Sequence, residues 1–581
     1  MKKTMIQKIF EKHSDQEVNV GDIVDISIDV RVARDFGGAN VVKNLEENNL
    51  SVKNPEKTFF TFDCNPGGCD QKYAANQHLC RKFARKNEIK IYDINKGIGT
   101  HIVIDEDIAK PGGTILSTDS HANILGAIGA FGQGMGDKDI AHSFAHGKVW
   151  FKVPPSVKII IKGKPSSNAS PKDVVLKMLN ELGANGLLGY AAEIFGEYIE
   201  KLPMDGRITI ASMATEMGGL IILFPNKEVK ADSDAKYEKI IEIDISSLEP
   251  MIARPGHPED TVKVREVVGK KVDSGFIGSC TNGRMDDMRA VALILKGKKI
   301  APGRVLKIVP STDKIWKKCL DEGLIKIFKD AGALVGSAGC AGCAAGQIGQ
   351  TGAGEVAVSS GNRNYVGKQG KGDIYLASPE TVAASLIAGF ITTKDKIPDK
   401  SADVLIPDLE KKGVKVKTKV KAPLKVQGRA WVIDKDNIDT DMIYHNRYLT
   451  ITVIDEMGQY TFDNLEGYKD FAKKAKPGDI VITGKNFGAG SSRQQAVDCF
   501  KSLGISAIIA ESFGSIYERN AINNAMPILT SEAIVNKIND GDEISIDFEV
   551  GEIIDKTQGR TYKAKPFSKS QLEIYMRGGL L

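Results

Sequence analysis

Three cysteines sit where the chain is crowded with small residues. Cys280 lies in Gly278-Ser279-Cys280-Thr281-Asn282-Gly283, and Cys340 and Cys343 lie in Gly336-Ser337-Ala338-Gly339-Cys340-Ala341-Gly342-Cys343-Ala344-Ala345-Gly346. Small neighbours let backbone amides approach a thiolate, as the sulfurs of a metal cluster require. A Cys-x-x-Cys pair alone suits a redox pair equally well. A third loop cysteine favours an iron–sulfur or zinc site, with no fourth ligand in these loops. If the group is a [4Fe–4S] cluster, three thiolates leave one iron open as a Lewis acid. A further glycine loop, Asn486-Phe487-Gly488-Ala489-Gly490-Ser491-Ser492-Arg493, offers hydroxyls and a guanidinium. Taken alone, it is also a plain helix cap.

These loops need elements to hold them, and the pattern around them alternates strand and helix. Strands are expected at 156–161, 275–278, 305–309 and 355–359, with helices opening at Ser170-Pro171-Lys172-Asp173 and spanning 286–295, 313–330 and 379–390. That is the signature of doubly wound α/β layers, which bind ligands at the carboxyl ends of their strands. From Lys411 to Lys425 there are seven lysines, one proline and no acid, a solvated linker or edge strand. After it the pattern restarts with a strand at 480–483, the glycine loop, a helix over 491–503 and a strand at 505–510.

Composition narrows the class. At ~150 residues per domain, 581 residues make roughly four domains. Seventy-nine Lys+Arg against 74 Asp+Glu leave +5, too little for a nucleic-acid footprint. The strongest apolar run, Leu220 to Phe224, is far below the ~20 residues of a membrane span. The first eleven residues suit a short amphipathic helix better than a signal peptide. Eight cysteines are too few for a disulfide scaffold and fit a reducing, cytoplasmic setting. Glycine is the outlier, 59 residues against a typical ~7%.

Taken together, Gly278-Ser279-Cys280-Thr281-Asn282, Cys340-x-x-Cys343, Ser360-Gly361-Asn362-Arg363-Asn364-Tyr365-Val366-Gly367 and Asn486 to Arg493 resemble the aconitase superfamily, nearly end to end and in family order. The size looks like the isopropylmalate dehydratase/homoaconitase branch with large and small subunits fused. The resemblance implies three doubly wound α/β subdomains around an iron–sulfur cluster in residues 1–410, a lysine-rich linker at 411–425 and a swivelling α/β domain at 426–581 that closes over the cluster. It implies a [4Fe–4S] cluster on Cys280, Cys340 and Cys343 with one iron not ligated by protein. Ser491 would be the base that takes a proton from carbon, and Arg493 and Arg363 would clamp substrate carboxylates, with Asn362, Ser492, Ser120, Asp441, Arg447, Thr450 and Lys368 beside them. Asp63, His101, Asp119, His121 and Glu193 would complete the acid–base set, Asp119 pairing with His101 and Glu193 with His121. The implied activity is that of a hydro-lyase isomerising a hydroxy di- or tricarboxylate, as a monomer or small homo-oligomer without nucleic-acid or membrane partners. The remaining histidines (His13, His78, His142, His146, His257, His445) and Cys69, Cys80, Cys319 and Cys499 read as structural.

Several positions depart from the family pattern. Asp63-Cys64 stands where most members have Asp-His, which removes the usual donor to the leaving hydroxyl and permits an extra thiol ligand. Arg34-Asp35 replaces Gln-Asp or His-Glu, Lys368 replaces Arg, and Gln494-Gln495 replaces Glu-His. Homoaconitase-like members carry Arg where Thr450 falls, so neutral Thr450 beside Ile451 suits an apolar or small substituent, while Arg34 and Lys368 could supply a replacement cation. The expected substrate is a substituted malate such as 3-isopropylmalate. Citrate/isocitrate or homoaconitase-type activity comes second; an RNA-binding iron sensor and a zinc hydrolase are remote.

Overall fold

The computed structural model describes residues 2–67, 70–343, 346–401 and 422–580. The chain divides into two compact units, Met1–Pro407 and Asp408–Leu581. Residues 411–421 of the lysine-rich segment lie outside the described residues, as does Cys69.

The first unit holds three α/β layers. One is a five-stranded parallel sheet in the order Lys90–Tyr92, Thr58–Thr61, Val30–Arg34, Thr114–Ser117, Phe131–Gly134. Its central strand, Val30–Arg34, is buried along its whole length, as expected for parallel strands covered on both faces. The second is a four-stranded parallel sheet built on Ser156–Lys162 and Ala191–Phe195. The third has seven strands and is mixed, with Ser274–Ile277 parallel to its two neighbours Val356–Ser359 and Val305–Ile308. Arg34, Asp63-Cys64 and Asp119 to His121 sit at or just beyond the carboxyl ends of three adjacent strands of the first sheet. Cys280 and Asn362-Arg363 do the same on the third. Side-chain chemistry thus gathers where parallel sheets leave their crevices.

Local rules hold in detail. Helix Pro171–Leu182 begins with Ser170 and Asp173 in a reciprocal capping box and Pro at its first position. The helix expected over 313–330 is instead two, Asp313–Asp321 and Leu324–Ala331, broken where Gly323 takes a positive φ of 73°.

The second unit is one seven-stranded mixed sheet in which Lys425–Ile433 pairs with Ile480–Thr483 on one side and Glu543–Asp547 on the other. Lys425 therefore opens a central strand and is not linker. The helix expected from Ser491 starts only at Gln495 and ends at Ser502. Gly488 and Gly490, with φ of 77° and 98°, carry the chain round a longer turn first. A Cβ at Gly488 would fall 2.2 Å from the Tyr517 ring, so no side chain fits there. Among the described residues no helix is long and apolar enough to cross a membrane.

Candidate active site

The first unit builds its site around two cysteines. Cys280 lies three residues past its strand in a turn where Ser279 has φ of 70°, and Cys340 precedes the single 3-10 turn Ala341–Cys343. Both are buried, and their thiols hydrogen-bond to each other; that bond and burial hold the Cys280 thiol well above its usual range. Cys343 belongs to the same turn. Asp119, His121 and Cys280 bring one ligand atom each within 4.8 Å of one another.

Asp35 organises the loop opposite. Its Oδ1 accepts the amides of Asp63 (3.2 Å) and Cys64 (2.9 Å), and its Oδ2 accepts the amide of Asn65 (3.0 Å) and Gln77 Nε2 (3.1 Å). The Asp63 carbonyl in turn receives the Cys340 amide at 2.9 Å. Asp63 Oδ2 accepts the Gly99 amide at 2.8 Å, while Oδ1 takes Arg34 Nε at 2.7 Å. Burial outweighs the pull of Arg34 and pushes the Asp63 carboxyl up to about 7. The same burial holds the Cys64 thiol well above its usual range.

Two expected pairs do not form. His101 donates from Nε2 to the Cys280 carbonyl at 3.0 Å instead of bonding Asp119. Asp119 pairs with Arg34 Nη1 at 3.0 Å and accepts Thr100 Oγ1 and the His121 amide. Arg34 takes the carboxylate that a histidine was expected to hold. Burial first, then the charge of Arg284, lowers His101 to about 4, so it is neutral at physiological pH. Glu193, in the Ala191–Phe195 strand, accepts the Met5 amide at 2.6 Å and the Tyr237 hydroxyl at 2.7 Å. It anchors the N-terminal helix and does not touch His121.

The carboxylate on His121 is Glu216, in the Thr215–Met217 turn: its Oε1 lies 3.1 Å from His121 Nε2 and 2.7 Å from Arg363 Nε. Burial opposes its charge, but His121 and Arg363 outweigh it and hold Glu216 below its usual range. Nothing in the local sequence singled out Glu216, because one glutamate in a short turn carries no spacing signal. Asn362 bonds Ser279 through Oδ1 (3.3 Å) and the Ser212 hydroxyl through Nδ2 (3.4 Å). Lys172, fully buried, donates Nζ to the carbonyls of Ser360 (3.3 Å) and Gly361 (2.8 Å) just ahead of Asn362-Arg363. Burial lowers its pKa to about 7. Ser120 is exposed and Lys368 half-buried on the same unit.

In the second unit Ser491 and Ser492 are exposed while Arg493 is buried. Arg493 Nη1 donates to the Tyr444 carbonyl at 2.8 Å and pairs with Asp441 at 2.8 Å, which holds Asp441 below the usual carboxylate range. Arg447 is committed to Asp463 at 2.5 Å and lies over the Tyr448 ring. Thr450 is exposed.

The family model described as "Aconitase family (aconitate hydratase)" matches residues 7–230 and 224–389, and "Aconitase C-terminal domain" matches 412–533. The chain belongs to the aconitase family. It is accordingly an enzyme of the hydro-lyase class. Aconitase-family relatives include a 3-isopropylmalate dehydratase large subunit from Archaeoglobus fulgidus, 38% identical over 68% of this chain and 100% of its own length. A mitochondrial homoaconitase from Debaryomyces hansenii is 30% identical over 92% of this chain and 86% of its own. A homoaconitase large subunit from Thermus thermophilus is 34% identical over 69% and 99%.

Proposed function

We propose that this aconitase-family enzyme dehydrates and rehydrates a malate bearing an apolar substituent, such as 3-isopropylmalate, with a [4Fe–4S] cluster held by Cys280, Cys340 and Cys343. The observation that carries the reading is the meeting of the buried Cys280 and Cys340 thiols beside Asp119 and His121. The donor set fits the group: soft sulfurs suit iron, and buried N–H and nitrogen groups without partners among the described residues, Arg34 Nη2 and His101 Nδ1, belong to residues of the same cluster of side chains. When bound, the cluster supplies the Lewis acidity that makes hydroxide a competent leaving group.

The rest of the chemistry falls to side chains. Ser491 takes the proton from carbon. Arg363, aligned by Glu216, and Arg493, aligned by Asp441 and the Tyr444 carbonyl, hold substrate carboxylates in bidentate fashion. Asn362 is oriented by Ser279 and Ser212, with Lys172 fixing the backbone before it. Asp63, with a pKa of about 7, is matched to giving or taking a proton near neutrality.

The substrate choice rests on the second unit's loop. Thr450 and Ile451 carry no charge, and the charge of Arg447 is neutralised by Asp463, so a distal carboxylate finds no free cation there. Anaerobically purified protein is expected to be brown, with iron and acid-labile sulfide and an absorbance that oxygen bleaches. It should turn over isopropylmalate or methylated malates. Turnover of citrate but not of these malates would overthrow the substrate assignment, and a colourless, active zinc protein would overthrow the cluster.

A further inference from the structure

Arg34 is a buried residue whose guanidinium is only partly used. Two of its nitrogens are committed, Nε to Asp63 at 2.7 Å and Nη1 to Asp119 at 3.0 Å. The third, Nη2, is buried and has no hydrogen-bond partner among the described residues. The side chain is 6% exposed, so water does not meet the need from outside. Asp63 and Asp119 fix the plane of the fork, and the same two carboxylates border the cysteines: Asp119 has a carboxylate oxygen within 4.8 Å of the Cys280 sulfur, and Asp63 one within 4.8 Å of the Cys64 sulfur. An unpaired charged N–H in a buried place is costly, and native proteins keep one where a bound group completes it. An anion is what a guanidinium held in this way selects.

We infer that Arg34 is an anion-binding residue of the cysteine pocket, positioned by Asp63 and Asp119, whose Nη2 donates to an anionic acceptor bound there. Two sources carry that chemistry: an inorganic sulfide of the cluster, and a carboxylate of the substrate. The inference rests on the cluster reading above and extends it to a residue of this chain's own.

Arg34→Gln and Arg34→Lys holoenzymes separate the two sources. If sulfide is the acceptor, Arg34→Gln moves the cluster's reduction potential to more negative values, because a positive charge beside a reducible group is lost, and speeds iron release. Arg34→Lys then recovers part of the shift, and affinity for succinate, a non-reacting dicarboxylate probe, stays at the wild-type value. If a substrate carboxylate is the acceptor, potential and iron content stay unchanged, and succinate affinity falls about 10- to 100-fold, the scale of one charge-assisted hydrogen bond. Should Arg34→Gln fail to fold, Arg34→Lys alone, which keeps the charge and loses the fork, gives the contrast at reduced size: a smaller potential shift with faster iron release for sulfide, a smaller loss of succinate affinity for a carboxylate. A folded variant with wild-type potential, iron content and succinate affinity would overturn the inference and leave Arg34 as a counter-ion for its two aspartates. Wild-type protein without iron or sulfide would bring down the cluster reading instead, and succinate titrated into that apoprotein and its Arg34 variants would still test Arg34.

Discussion

Glu216 and Glu193 have the same side chain and opposite assignments. Glu216 joins His121 to Arg363, so it sets the imidazole tautomer and the guanidinium direction together. Glu193 bonds an amide and a tyrosine hydroxyl at the N-terminal helix. Glu216→Gln is expected to lower kcat/KM about 100-fold or more, the scale of a lost positioning or acid–base contribution. It should also cost stability, since breaking a buried ion pair leaves uncompensated charge worth about 3–5 kcal/mol. Glu193→Gln should keep kcat/KM within a few-fold and lower only the melting temperature. Steady-state kinetics and thermal melts on the two variants check both outcomes, and equal losses of activity would restore Glu193 to the site. The cysteines, Ser491, Arg363 and Arg493 were legible as motif residues because loop chemistry marks them with glycine and serine neighbours. Glu216, Asp35 and Lys172 were not, since each acts through partners distant in sequence: His121 and Arg363 for the first, the 63–65 amides for the second, the 360–361 carbonyls for the third.

At the scale of elements, the turn from Asp63 to Asn65 depends on one carboxylate. Asp35 follows the central strand and accepts three successive amides of a loop that begins just beyond the neighbouring strand, with Gln77 completing its shell. The same turn presents Asp63 to Arg34 and its carbonyl to the Cys340 amide. Asp35→Ala leaves three buried N–H groups without acceptors, each worth about 1–3 kcal/mol. A drop in the urea midpoint is expected, with weakened iron retention because the Cys340 loop loses its abutment. Asp35→Asn, which keeps an acceptor oxygen, should recover part of both, and unchanged iron content in Asp35→Ala would show that the turn does not support the cysteine loop. The strands and most helices of this region follow from hydrophobic runs and caps, so their positions were readable to within a few residues. The break at Gly323 and the late start of the Gln495–Ser502 helix were not, because both depend on glycine dihedrals that local periodicity does not encode.

The whole molecule is two compact units, and the lysine-rich run lies at their junction in sequence. A protease site engineered between 411 and 421 should yield two folded fragments. The larger one should keep its iron and sulfide while activity falls steeply, because Ser491 and Arg493 belong to the smaller. Metal analysis and assay before and after cleavage, with and without recombining the fragments, test this; iron lost along with activity would place a cluster determinant beyond Asp408. The sequence by itself determined the α/β class, the division into a larger and a smaller part, and the cysteine and serine loops, because these are written in local pattern and spacing. Only the tertiary structure decided which carboxylate serves which partner. Arg34, Asp63, Asp119, Glu216 and Arg363 reach one another across strands and layers far apart in the chain, and buried charges settle on whichever neighbour compensates them best.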